Sequence, residues 1–341
     1  MAALDDGDGP VRLRRGAALV LSSLALCLLV VLSVCVGARG IAPGVVWDAL
    51  RGVGSGEEYG MVRDLRIPRT VAGVLVGVGL GVAGALIQSL TRNPLADPGL
   101  LGVNAGAALA VTIAVGAFGL TGPDAYVWFA LAGAGLVATA VYLIGSAGRS
   151  GTDPVRLVLA GVALAAVLGG AVSAITLLNP DAFDQMRAWN AGTLTGHDGA
   201  VLVAAAPFLV VGGVIAVLVG PSLNALALGA DTASGLGAPV KVTRTLSVTA
   251  ITLLAGAATA IAGPIVFVGL MVPHLARRPA GGDQRWVLAL SGVLGPSLLL
   301  VADIVGRLLM RPAEIPVGIV TAVIGGPMLM MLARRRRTAA W

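Results

Sequence analysis

Ionisable side chains are almost absent from the apolar segments of this chain. Of its 17 Asp and Glu residues, only Asp303 lies well inside such a segment; the others fall in the termini or in breaks between segments. An ionisable residue at membrane depth is a functional candidate by default. Arg307 follows four residues later, so on a helix the two side chains share a face and can pair. The sequence leaves a functional and a structural role for Asp303 equally open.

The sequence contains no pattern typical of ATP hydrolysis, nucleophilic catalysis or metal binding. A phosphate-binding P-loop needs Gly-Lys-Ser/Thr, whereas the single lysine, Lys241, follows Val240. The two histidines, His197 and His274, are isolated, and His274 after Pro273 is interpreted as a helix-terminus residue. We therefore predict that the chain is not an enzyme, binds no cofactor and is driven by an energy source outside itself.

Three arginines, Arg63, Arg66 and Arg69, repeat every third residue just before an apolar segment. The topology argued below puts them on the outer side of the membrane, where basic residues are disfavoured. One interpretation is that their aliphatic stems lie along apolar surface while the charges reach water. The other is a rim that docks an acidic partner protein.

Composition indicates a polytopic membrane protein of the all-α class. The 341 residues are 57% hydrophobic and 12% charged, with a mean hydropathy of +0.93, whereas soluble domains carry about 25% charged residues. Apolar runs of about 20 residues can span a bilayer as helices, while a β-barrel would show alternating strands of about ten residues. The predicted segments are 16–38, 70–90, 99–119, 125–147, 157–178, 199–219, 242–262, 264–276, 286–306 and 316–333.

Two features support about ten transmembrane helices. Within 242–276, Gly263-Pro264 breaks the run and Pro273 ends it, so a full helix followed by a short one is favoured over one long span. Ten crossings place both basic termini on one side, which the positive-inside tendency makes cytoplasmic. The domains are then a cytoplasmic tail at 1–15, a single transmembrane domain at 16–333 and a basic cytoplasmic tail at 334–341. The first segment is read as an uncleaved span, with a cleaved signal peptide as the alternative.

Glycine spacing predicts close helix packing in the second segment. Gly73, Gly77 and Gly81 recur every four residues, which lays a groove along one helix face and lets another backbone approach.

The longest polar loop on the predicted cytoplasmic side runs from Gly220 to Arg244. Small and apolar residues alternate at helical spacing in it, so two short helices joined at Gly229 are predicted at about 222–237. An apolar face lying on the surface needs a partner to bury it. A lipid-bound helix would usually carry Lys and Arg on its polar face, and none occurs before Lys241, so a protein partner is favoured.

Several motifs resemble those of FecCD-type permeases, the membrane subunits of ABC importers for iron-siderophores, haem and cobalamin. The resemblance begins near residue 60 and continues in the same order to the C-terminus. The motifs are RIPRT at 66–70, GALIQ at 84–88, RNPLADPGLLG at 92–102, LAGVAL at 159–164, GPIVFVGL at 263–270, VPH at 272–274 and AEIPVG at 313–318.

The resemblance implies a fold like that of type II ABC importer permeases and a set of partners. These are a second permease subunit in a homo- or heterodimer, two cytoplasmic ATPase subunits that hold ATP and Mg²⁺, and an extracytoplasmic substrate-binding protein, all at the bacterial cytoplasmic (inner) membrane. The implied substrate is an iron-siderophore complex, with haem or cobalamin as alternatives. No nucleic acid is expected as a partner.

The resemblance also implies roles for particular residues. Docking of the binding protein is expected at Arg66, Arg69 and Arg307. Coupling to the ATPase is expected at Leu226, Leu228, Gly229, Ala230, Asp231, Leu236 and Gly237. Residues expected on the translocation path or its gate are Gln88, Asn93, Pro154, Val155 and Asp303. The loop at Thr152-Asp153-Pro154-Val155-Arg156 departs from the family, because Pro154 and Val155 replace the hydroxyl pair sometimes found beside the arginine.

Three other function classes fit the residues less well. An ion-coupled secondary transporter normally has several carboxylates or broken-helix ion sites near the midplane, and Asp303 stands alone. An intramembrane enzyme needs a nucleophile within reach of a base, and His274 is its only candidate base. A passive channel would need a selectivity ring, which the sequence does not show.

Overall fold

A computed structural model describes residues 9–37, 39–120, 122–147, 154–196 and 199–337. Thr152, Asp153 and His197 lie outside these residues. Within them the secondary structure is helical and without strands, as the all-α prediction requires. A π-helix, Met61–Arg66, and a 3₁₀-helix, Pro98–Leu101, accompany the α-helices. The α-helices are α1 Gly9–Cys35, α2 Pro43–Arg51, α3 Glu57–Gly60, α4 Ile67–Thr91, α5 Val103–Phe118, α6 Pro123–Ser146, α7 Pro154–Leu178, α8 Pro180–Asn190, α9 Gly199–Ala227, α10 Ala230–Gly235, α11 Val240–Ala262, α12 Val268–Ala280, α13 Gln284–Leu309 and α14 Val317–Arg337.

Each of the ten predicted apolar segments coincides with one of these helices. By length and composition, seven helical stretches in the described part of the chain could cross a membrane, and they include most of α1, α4, α6, α7, α9, α11 and α13. Helix α5 and the apolar part of α14 are shorter, and α12 has 13 residues. The count of ten crossings therefore stays a prediction.

Helix α4 lies at the centre of the bundle and packs against α13 through its glycines. A methyl group added to Gly77 would collide with the backbone of Pro296, and one added to Gly81 would meet the Ser291 carbonyl oxygen at 2.5 Å. Gly73 faces the Leu300 side chain in the same way. The predicted groove on α4 is therefore present, and it brings the two helix backbones into direct contact over about two turns.

The break between α11 and α12 occurs where it was predicted, but Pro273 does not end a helix. Gly263, with φ of 73°, closes α11, whereas Pro273 lies inside α12. Proline removes the N–H that would bond the carbonyl four residues earlier, here Gly269. The Gln88 side-chain amide donates to that carbonyl oxygen at 3.3 Å, so the helix continues. The expectation that His274 is a helix-terminus residue was wrong for the same reason.

The loop predicted to contain two short helices contains one. Helix α9 continues through Pro221 to Ala227, so the first predicted helix is the end of α9. Gly229 then adopts φ of 114° and ψ of 152°, and the six-residue helix α10 follows. A proline near a helix end disrupts few backbone hydrogen bonds, which is why Pro221 is not a boundary.

Candidate docking, path and coupling sites

A buried ion network ties α4 to α13 at one end of the bundle. Asp303 is 1% exposed, and its carboxylate accepts hydrogen bonds from Arg69 Nη2 at 2.7 Å and pairs with Arg307 Nη2 at 2.8 Å. Arg69 also donates to Glu314, in the loop before α14. The predicted pairing of Asp303 with Arg307 is present. Arg69 is a second partner, 234 residues away in sequence.

The same arginines hold the C-terminal end of α1. Arg307 Nη1 donates to the carbonyl oxygens of Ser33 and Val36 at 2.8 and 2.7 Å. Arg66 donates to the carbonyl oxygens of Val34 and Cys35 at 3.0 and 2.7 Å. The last carbonyls of a helix lack partners within it, and cations stabilise that end of the helix dipole. These two buried arginines therefore act as caps for α1. Sequence reasoning did not find this role.

A cavity of about 360 Å³ opens beside this network. Its walls carry both signs of charge and include the three arginines predicted to dock a partner. Arg69 keeps 11% of its side chain exposed, whereas Arg66 is 6% and Arg307 2% exposed as whole residues. Arg63, in the same sequence stripe, is exposed and does not line the cavity. The charged residues of the wall are Arg39, Asp64, Arg66, Arg69, Arg307 and Glu314.

The predicted path residues do not form one constellation. Asp303 contacts Arg69 near the start of α4, whereas Gln88 lies 19 residues further along that helix, about 28 Å away at 1.5 Å per residue. We call the first place the arginine end of the bundle and the second the loop end. Asp303 is grouped with the docking arginines, so placing it beside Gln88 and Asn93 on one path was wrong.

Gln88 and Asn93 make structural contacts at the loop end. Gln88 is 2% exposed; besides Gly269, its amide donates to the Leu270 carbonyl oxygen at 3.2 Å and accepts from Arg277. Asn93 is exposed, and its Oδ1 accepts from Leu95 N–H at 3.0 Å in a local turn. Val155, at the start of α7, is 64% exposed. The backbone of Pro154 begins that helix.

Asp97 caps the 3₁₀-helix of the loop after α4. Its Oδ1 accepts from Gly99 N–H at 2.9 Å. Burial raises the pKa of this carboxyl, and the hydrogen bond from Gly99 only partly offsets that effect. A carboxyl whose pKa is raised in the folded state stabilises the fold while protonated, and this contribution is lost as pH rises through the folded-state pKa.

We expect Asp97→Asn to weaken the pH dependence of thermal stability. The amide still accepts from Gly99, but it does not ionise. The melting temperature of the variant should therefore equal or exceed that of the wild type at neutral pH, with the difference growing as pH rises above about 4. Thermal unfolding in detergent from pH 4 to 8 measures this, with Asp48→Asn on exposed α2 as the control. Parallel curves for wild type and Asp97→Asn would contradict the prediction.

The residues predicted to couple to an ATPase form a small exposed surface at the loop end. Leu228 and Leu236 are each 66% exposed and flank α10. Asp231 is exposed between them, and Gly237 adopts φ of 79°. Leu226 is buried at 3% as part of α9, and half-buried Ala230 begins α10. The surface therefore consists of two apolar side chains around a carboxylate, on a loop fixed by Gly229.

The family model of the FecCD transport family matches residues 25–335. The chain belongs to this family. It is 46% identical over 328 residues to the ferric enterobactin transport system permease protein FepD of Escherichia coli, covering 96% of this chain and 98% of that protein. It is 43% identical over 292 residues to the Fe(3+)-citrate import system permease protein YfmD of Bacillus subtilis, covering 86% and 85%.

A solved structure described as an inward-facing, metal-chelate type ABC transporter matches with a TM-score of 0.81. It is 25% identical in sequence, and the match covers 93% of this chain and 98% of that chain. The resemblance to FecCD-type permeases, and the multi-pass architecture of an ABC importer's transport subunit, are thereby confirmed.

Proposed function

We propose that this chain lets iron-siderophore complexes cross the cytoplasmic membrane as the permease subunit of an ATP-driven importer. The observation that carries the proposal is the match over almost the full length to a ferric enterobactin permease. The scarcity of ionisable groups in the apolar helices supports it. A bulky chelate would be trapped by a strong site inside the permease, whereas a weakly interacting path lets it pass.

The partners would meet the two ends of the bundle. The surface around α10 would dock on a cytoplasmic ATPase, since Leu228 and Leu236 offer apolar area that water otherwise covers. The cavity at the arginine end would receive carboxylates of an extracytoplasmic binding protein, since Arg66, Arg69 and Arg307 all line it. An incoming carboxylate would compete with Glu314 for Arg69.

A second permease subunit would cover α7. Only 6% of the most apolar window of α7 is buried within the chain, and Leu177 and Leu178 are 82% and 87% exposed. Val155 lies on the same helix, so the predicted gate residues Pro154 and Val155 would face the space between two subunits. Both termini would lie in the cytoplasm, and ATP and Mg²⁺ would bind the ATPase subunits only.

The test is uptake of radiolabelled iron in cells that lack their own siderophore permeases. We expect uptake to require this chain together with its ATPase and binding protein, and to stop when the P-loop lysine of the ATPase is replaced. Supplying ferric siderophore, haem and cobalamin in parallel identifies the substrate. Uptake that persists with the inactive ATPase, and depends on the proton gradient instead, would favour a secondary transporter.

A further inference from the structure

A polar junction joins the end of α9 to the beginning of α13 at the loop end. Asn224 lies three residues before the last residue of α9. Its Oδ1 accepts from the backbone N–H of Gln284 at 2.7 Å, and its Nδ2 donates to Asp283 Oδ1 at 3.0 Å. Asp283 is itself the N-cap of α13 and accepts from Arg285 N–H at 3.1 Å. One amide side chain thus holds both the first residue of α13 and its cap.

Two further side chains fix the same helix start to the rest of the bundle. Ser89 of α4 donates to Gln284 Oε1 at 2.6 Å, and Gln284 is 9% exposed. Arg15 of α1 lies 3.6 Å from Asp283 Oδ2. The start of α13 therefore has side-chain contacts with α1, α4 and α9. Asn224 is the contact on the helix that leads directly into α10.

Helix α13 connects this junction to the arginine end. About 20 residues separate Gln284 from Asp303, which is about 29 Å along a helix. Between them the helix lies backbone to backbone on α4 at Gly77 and Gly81, so it has little freedom to bend or slide alone. A displacement of its first turn must therefore be carried to the other end, where Asp303 and Arg307 hold α4 and α1.

We infer that Asn224 is the positioning residue that transmits movement of the α10 loop to α13. This inference rests on the proposed function, because it assumes that an ATPase moves the loop. Asparagine suits the position because it offers one acceptor and one donor. Aspartate would keep the acceptor but place a second negative charge against Asp283.

The chemistry of the pair allows an exchange experiment. In the double variant Asn224→Asp, Asp283→Asn, the carboxylate at 224 accepts from Gln284 N–H and from the new amide at 283. The amide oxygen at 283 still accepts from Arg285 N–H. Both bonds of the junction are restored with donor and acceptor reversed, and only the long contact to Arg15 is lost. The double variant therefore separates the loss of the contact from general disruption of the fold.

The experiment measures iron taken up per ATP hydrolysed, in proteoliposomes that contain the full complex with binding protein and ferric siderophore. We expect Asn224→Ala and Asn224→Asp to lower this ratio about tenfold, as the loss of two hydrogen bonds, one to a charged group, would do. The double variant should recover most of it. Ser222→Ala, two residues earlier on α9, is the control and should keep the ratio.

A merely structural role would lower the amount of folded complex without changing the ratio, so the ratio distinguishes the two. Wild-type ratios in Asn224→Ala, or a double variant as uncoupled as Asn224→Asp, would overturn the inference. Gly229→Val is run in parallel. If it also leaves uptake normal, the proposed coupling surface itself is wrong; if it uncouples uptake and Asn224→Ala does not, only the present inference fails.

Discussion

Gly229→Val is expected to reduce iron uptake by about tenfold or more, because it imposes a backbone strain of roughly 1–3 kcal/mol on the loop that positions α10. Gly229 has φ of 114° and ψ of 152°, a conformation that side chains other than glycine rarely adopt. Valine would shift α10 and the exposed Leu228 and Leu236 with it. Capture of the ferric siderophore by the binding protein should be unchanged, because the binding protein lies on the other side of the membrane.

The measurement pairs uptake with ATP hydrolysis in the same proteoliposomes. Hydrolysis without uptake is the expected sign of uncoupling, and Asp231→Ala should act in the same direction by removing the exposed carboxylate of this surface. The matched control is Gly235→Ala: Gly235 is helical, and an added methyl group meets no atom within 4 Å. Normal uptake in Gly229→Val would show that the loop does not couple to the ATPase.

Asp303→Asn is expected to lower the free energy of unfolding by about 3–5 kcal/mol, the usual effect of removing one partner from a buried ion pair. The substitution keeps the shape of the side chain but leaves Arg69 and Arg307 without the charge that offsets theirs. Arg307 keeps its bonds to the carbonyls of α1, so the α1 contact should be lost after the contact between α4 and α13.

Thermal or denaturant unfolding in detergent tests this, with Asp184→Asn as the control. Asp184 pairs with Arg187 at 3.7 Å on the surface of α8, and both side chains are about three-quarters exposed; exposed pairs contribute little. If Asp303→Asn is as stable as the control but no longer transports, the functional interpretation of Asp303 is correct and the structural one is wrong.

Hydropathy was sufficient to place the helices because membrane insertion depends on local composition. Helix ends were harder to predict. Pro273 was taken as a terminus, yet Gln88, which is far away in sequence, supplies the hydrogen bond that the proline removes. Such compensation depends on tertiary packing and leaves no trace in the neighbouring sequence.

The sites divide in the same way. The Asp303–Arg307 pair was predictable because residues four apart share a helix face. The contact of Asp303 with Arg69 requires knowing that α4 and α13 pack antiparallel. The capping of α1 by Arg66 and Arg307 requires its position as well, so an arginine stripe that suggested only an outer rim also has a structural role. Asn224 carries no recognisable motif, and its role follows only from the geometry of the junction.

The most direct test of the central claim is an omission series in proteoliposomes loaded with ATP and supplied with ferric siderophore outside. The permease, the ATPase and the binding protein are present together, and then each is left out in turn. The proposed function predicts iron accumulation only in the complete set with hydrolysable ATP. Accumulation by the permease alone, or with a non-hydrolysable ATP analogue over many turnovers, would contradict it.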